Sequence, residues 1–296
     1  MNSVNSVDNT TTTARRDTSL DYMRGVAIAL VLLGHVLQKE MRVDTPLFWL
    51  LCDFHMPFFF VLCGWLSVRS THFGWAFWQK KARSLLLPMA TVGGAFALAT
   101  GSGRDLLFGD FHAGYWFLLA LFEIWLMFAA MRTVGRWLRV RHPLLEAVVL
   151  LVPFFVAKMA MPFVPDSVQH ALTLGMATAH YRWFVLGYFL GGNASLRAWL
   201  DRDEVRAAGT VAFLAFLMAY LTQVAWLGSV PLTALQLALC VSCVIFCLAA
   251  KDVTPCKISH YIQLGGVKAC TSTSSTTSSS MLSTSRCCSR SARVSA

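Results

Sequence analysis

The chain has 296 residues, of which 56% are hydrophobic and only 14% charged, with 10 Trp and 21 Phe. That balance, with apolar runs of about twenty residues, excludes a soluble globular domain and predicts an all-α, polytopic membrane protein. The net charge of +10 does not point to nucleic acid, because the basic residues fall in short loops between apolar runs, where they report topology.

Residues 1–19 are rich in Asn, Thr and Ser, and are expected to form a disordered tail. Arg15-Arg16 leads into an apolar run with no small-residue cleavage site, so no cleavable signal peptide is expected. Eight spanning helices follow at roughly 20–38, 47–68, 84–101, 115–131, 144–164, 177–192, 207–228 and 231–250, making residues 20–250 one transmembrane domain. Residues 251–296 break the pattern. Thirteen of the fifteen residues from Thr271 to Ser285 carry hydroxyls, a composition that neither spans a bilayer nor builds a core, and a disordered cytoplasmic tail is expected. The nine cysteines form no disulfide framework, since Cys52, Cys63, Cys240, Cys243 and Cys247 lie in apolar segments. Cys240-x-x-Cys243 has no flanking histidine and reads as packing, so no metal site is expected.

Loop charge sets the orientation. With the N-terminus in the cytoplasm, the inside loops 69–83 (Arg69, Lys80, Lys81, Arg83) and 132–143 (Arg132, Arg136, Arg139, Arg141) are strongly basic, and 193–206 is neutral overall. Each outside loop balances its bases with acids, as Arg104 against Asp105 and Asp110, or holds only Asp166. This agrees with the excess of Lys and Arg on cytoplasmic loops, and it places Arg24 in the cytoplasmic part of the first helix and His35 towards its outer end.

Arg24 and His35 are the residues around which the chemistry gathers. Ionisable groups inside a membrane segment are costly, so each calls for a functional reading. Eleven steps of about 100° return His35 to within about 20° of the azimuth of Arg24, some 16 Å along the helix axis. One face thus carries a fixed cation near one end and a proton acceptor near the other, which suits transfer from an anionic carrier. Spacing alone leaves open the alternative that Arg24 snorkels to the headgroups and His35 sits idle at the opposite interface. His55 on the second helix falls in the same outer half as His35. Glu123 is a lone carboxylate midway along the fourth helix; it calls for a partner, Arg24 or His35, or else is protonated and hydrogen-bonded between helices. Asp53 and Lys158 lie near helix ends and reach the interface. Gly187-x-x-x-Gly191 reads as a close helix contact, and Pro57, Pro88, Pro153 and Pro162 as helix kinks.

Arg24 and His35 within LDYMRGVAIALVLLGHV resemble the first-helix motif of the acyltransferase 3 family of membrane O-acyltransferases. The likeness continues in order through FHMPFFFVLCGWL at 54–66, KKARSLLLP at 80–88, YWFLLALFEIWL at 115–126 and FVLGYFLGG at 184–192, and so covers about residues 20–250. The resemblance implies a multi-pass enzyme of the bacterial inner membrane that moves an acyl group, usually acetyl, from acyl-coenzyme A to a hydroxyl of a surface or exported glycan. It implies the donor as a substrate with no tightly bound cofactor, the bilayer and a glycan as partners, and no role for nucleic acid.

Carried over residue by residue, His35 is the catalytic base and Arg24 the essential cation. The residues' own placement adds to this: Arg24 and Arg83, on the cytoplasmic side, are expected to hold the donor phosphates, His55 or a tryptophan N–H to steady the oxyanion, and Glu123 is a further catalytic candidate. Two departures stand out. Cys63 replaces the family's Ser before Gly in the second-helix motif and reads as a small packing residue. HYIQLGGVKAC at 260–270 resembles the lead-in to a ninth helix of a ten-helix core, after which apolar character vanishes as it would after a change of reading frame. Two other readings therefore stay open: a proton-coupled transporter or channel using Arg24, His35 and Glu123, and an inactive truncated relative.

Overall fold

A computed structural model describes residues 18–37, 46–101, 103–109, 112, 115–222, 231–254 and 258–264. The elements are α1 (Thr18–His35), α2 (Pro46–Ser67), α3 (Trp75–Pro88), a π-helical turn (Met89–Gly93), α4 (Gly94–Thr100), α5 (Gly103–Phe108), α6 (Trp116–Trp137) and α7 (Pro143–Ala160). They continue with α8 (Asp166–Ala171), α9 (Leu174–Gly192), α10 (Ala194–Leu200), α11 (Asp203–Leu221) and α12 (Leu232–Val253). There is no strand among the described residues. The eight expected helices correspond to α1, α2, the continuous α3–π–α4 rod, α6, α7, α9, α11 and α12. Among the described residues, five are long and apolar enough to cross a membrane: Trp75–Thr100, Trp116–Trp137, Pro143–Phe163, Asp203–Leu221 and Thr233–Val253. The chain is an all-α, multi-pass membrane protein.

Several boundaries differ from the sequence expectation. The third helix begins at Trp75, not near residue 84, so the basic run Lys80–Arg83 lies on a helix and not in a loop. α6 likewise continues to Trp137 and carries Arg132 and Arg136. Lys and Arg are good helix formers, and their charge stops a membrane span without stopping the helix. Pro88 lacks an N–H and its ring crowds the preceding turn, and the chain answers with the π-helical turn that follows. Gly101, at φ 71°, then ends α4 in the left-handed region. Thr18 and Ser19, assigned to the tail, already belong to α1, and α12 continues past residue 250 to Val253. Residues 258–264 are helical as well, where a disordered tail was expected. The remaining calls on residues 1–17 and 265–296 fall outside the described residues.

The core is aromatic. Phe58, Phe60, Phe128, Tyr181 and Phe184 are fully buried; Trp125 and Phe128 meet Phe184 edge to face, and Tyr188 meets Phe128, at centroid distances of 5.2–5.3 Å. α2 and α9 make the closest helix contact. A Cβ on Gly64 would overlap the Phe184 carbonyl, and one on Gly187 the Val61 carbonyl; Gly191 lies against Trp65. Small residues let two backbones approach this closely, as the Gly187-x-x-x-Gly191 spacing predicts. Val61 opposite Gly187 and Trp65 opposite Gly191 mean that the two helices run in the same direction. Half of the α12 span is buried, against 6% of α7 and of α11. The outer helices turn Val148, Phe155, Val156, Val211 and Met218 outward, an apolar surface suited to lipid.

Candidate active site

The described ion pairs gather at one end of the bundle. Tyr22 Oη lies 3.2 Å from Thr254 Oγ1 and Lys251 donates to Ser19 at 2.8 Å, so the start of α1 meets the end of α12. Arg206, near the start of α11, bonds Asp201 at 2.8 Å and Asp252 at 2.7 Å. Arg132 pairs with Glu146, which also accepts from Tyr188 Oη at 2.8 Å. Arg24 stands at the same end, 3.0 Å from Asp21 one turn earlier, with the carboxylate 7% exposed and the guanidinium 25%. Lys81 Nζ rests 3.7 Å from the centroid of the Trp125 ring. Arg83 is exposed on α3 and forms no ion pair with the described residues.

The opposite end, where α2, α6 and α9 begin, carries imidazoles. His55 on α2 bonds the Leu51 carbonyl through Nδ1. His180 on α9 does the same to Met176 at 2.8 Å, and its ring lies between Phe60 of α2 at 4.8 Å and Trp116 of α6 at 5.5 Å. A carbonyl only accepts, so Nδ1 carries the proton in both rings and Nε2 of each holds the lone pair. His55 and His180 lie within electrostatic reach of one another. The close α2–α9 packing is what brings them together. His112, fully buried, stands between the carbonyls of Leu106 at 2.7 Å and His170 at 2.9 Å, and ties α5 to α8 over this end.

Each expected site residue can now be placed. α1 is helical from Thr18 to His35, so the eleven-residue spacing between Arg24 and His35 is kept, while the imidazole of His35 lies outside the described residues. Glu123 does not pair with Arg24: its Oε2 accepts from Thr173 Oγ1 at 3.3 Å, and its Oε1 is buried without a partner among the described residues. Arg24 stands with Asp21 at the ion-paired end, whereas Glu123 meets Thr173 at the start of α9 at the other end, so the two lie apart along the bundle. Cys63 is half-buried beside the Gly64 contact, and Cys240, Cys243 and Cys247 are buried on α12, with no metal-holding cluster among the described residues. His180, Thr173 and Asp21 were not singled out as site residues. The signal for His180 was present as the polar triplet His180-Tyr181-Arg182 in an apolar helix.

The bundle thus has an ion-paired end and an end that carries imidazoles, with α1 running from the first towards the second. The chain is a member of the acyltransferase 3 family, whose model, described as an acyltransferase domain, matches residues 17–267. It is 32% identical over 143 residues to the nodulation protein NolL of Mesorhizobium japonicum (strain LMG 29417 / CECT 9101 / MAFF 303099), covering 42% of this chain and 38% of that one. It is likewise 32% identical over 145 residues to NolL of Sinorhizobium fredii (strain NBRC 101917 / NGR234), covering 42% and 39%. The matched stretch thus spans about two fifths of these curated relatives. No solved structure matches the chain.

Proposed function

We propose that the protein is a membrane O-acyltransferase that moves an acyl group, acetyl in the first instance, from acyl-coenzyme A to a hydroxyl of a surface or exported glycan. The reading places it in the bacterial inner membrane with its N-terminus and cationic end towards the cytoplasm. The observation that carries it is the polarity of the bundle, with bound cations at one end, imidazoles at the other and α1 spanning the two.

Arg24, steadied by Asp21, and the exposed Arg83 hold the donor's phosphates through charge-assisted hydrogen bonds. The thioester then lies along α1 towards His35. A hydroxyl is too weak an acid to attack a thioester unaided, so the His35 imidazole takes its proton as the oxygen–carbon bond forms. The carbon–sulfur bond breaks, and the departing thiolate of coenzyme A takes that proton from the imidazolium. While the tetrahedral intermediate exists, its oxyanion needs donors, a role for the indole N–H of Trp116 or for His55 once its Nε2 has taken up a proton. Glu123, with one oxygen anchored by Thr173 and the other unfilled, orients the acceptor by accepting from a second hydroxyl.

The test uses the purified full chain with labelled acetyl-coenzyme A and isolated surface glycan. His35→Ala should lower transfer by about 100-fold or more with donor binding intact, and Arg24→Ala should weaken donor binding itself. A fully active His35→Ala variant would end the mechanism, and unchanged donor affinity in Arg24→Ala would end the role of the cation.

A further inference from the structure

α7 and α9 run in opposite directions. Near the start of α7, Glu146 meets Tyr188 near the end of α9; two turns on, Phe154 lies under the Arg182 guanidinium at 5.9 Å. Continuing in step, Lys158 on α7 comes level with Thr178 on α9, one turn from Arg182. Helical side chains lean towards their own helix's N-terminus. On antiparallel neighbours, Arg182 and Lys158 therefore lean towards each other along the α7–α9 seam. Neither forms an ion pair among the described residues. Arg182 rests on the rings of Phe154 and of Trp183 at 5.1 Å, and its Nε is buried without a hydrogen-bond partner.

The carboxylates on the packed helices are engaged elsewhere. Glu146 is taken by Arg132 and Tyr188, Glu123 accepts from Thr173, and Asp166 on α8 is exposed and pairs with neither cation. A half-buried guanidinium with an unused donor, and an exposed lysine one turn along on the facing helix, together offer the charges that an anion at this seam needs.

We propose that the α7–α9 seam binds a phosphate group between Arg182 and Lys158. Phe155 and Met159 are exposed on the face of α7 that follows Lys158 round from the seam, which gives the acyl chains of a phospholipid an apolar flank to lie along and makes a lipid headgroup the favoured source of the phosphate over a free ion. The site is separate from acyl transfer and stands or falls independently of it.

The experiment titrates the purified full chain in mild detergent with phosphatidylglycerol in one arm and inorganic phosphate in the other. The midpoint of thermal unfolding and, by native mass spectrometry, the retained lipid are followed. Wild type should be stabilised and should retain lipid. Lys158→Gln, an exposed change that leaves packing alone, and Arg182→Gln should each weaken the apparent affinity about tenfold, while Arg182→Lys retains most of it. Binding in the lipid arm alone identifies a headgroup, and equal response to inorganic phosphate identifies a soluble phosphate. Titrations of Lys158→Gln and of Arg182→Lys, Lys158→Gln that superpose on wild type, or no binding in either arm, would overturn the site.

Discussion

Asp21 does for Arg24 what a bare sequence motif cannot convey. With its carboxylate almost fully buried at 3.0 Å from the guanidinium, it fixes one edge of a planar, five-donor group and leaves the remaining edge for a ligand. Asp21→Asn keeps the shape and removes the charge. The donor's KM should rise about tenfold, with kcat within about twofold, since the imidazole end is untouched; steady-state kinetics at varied acetyl-coenzyme A separates the two. Thr173 presents the same logic at the other end. It is a β-branched residue held at φ 45°, a conformation that persists only where the surroundings over-determine it, and its hydroxyl is the one described partner of Glu123. Thr173→Val leaves that buried carboxyl with no donor, and thermal unfolding should register a loss of about 1–3 kcal/mol. That Arg24 and His35 share one helix, eleven residues apart, was legible because an unbroken apolar run from Val26 to Leu33 joins them. The partner of Glu123 was not, because Thr173 lies fifty residues away in a left-handed turn that no helical period announces.

At the scale of elements, the contact between α2 and α9 decides where the imidazoles sit. Gly64 and Gly187 bring the backbones so close that any side chain there meets a carbonyl oxygen, and His55 and His180 ride on the same two helices. Gly64→Ala and Gly187→Ala should each destabilise the fold by about 1–3 kcal/mol. Acyl transfer should fall further than the folded fraction does, because the helices must part before they can repack; comparing activity with the monodisperse fraction on size exclusion tests this. The Gly187-x-x-x-Gly191 spacing revealed a close contact but not its partner, since a small-residue stripe names one surface only. Apolar runs placed the eight long helices well. They misplaced the start of α3 and the end of α6, because hydropathy falls at a charged turn where hydrogen bonding does not, as Lys80, Lys81 and Arg132 show.

For the molecule as a whole, the proposed function requires that the two ends face different compartments. The ion-paired end gathers Arg24, Arg132, Arg136 and Arg206, together with Lys81 on its aromatic seat. The imidazole end offers His55, His180 and Glu123, and its connections carry few uncompensated bases. Under the proposed function, a donor bearing several phosphates comes from the cytoplasm and an exported glycan from the other side, and α1 would carry the acyl group's path between them. The excess of Lys and Arg fixes the sense of insertion only if the basic turns stay inside. Reporter fusions settle the matter: a fluorescent protein joined after Val140 should fold and glow, and alkaline phosphatase joined after Pro165 should be active. The reverse pattern would place Arg24 outside, away from any cytoplasmic acyl donor. The proposed transfer mechanism would then fail even if every contact within the bundle were correct, because it needs the guanidinium of Arg24 on the side from which the charged donor comes.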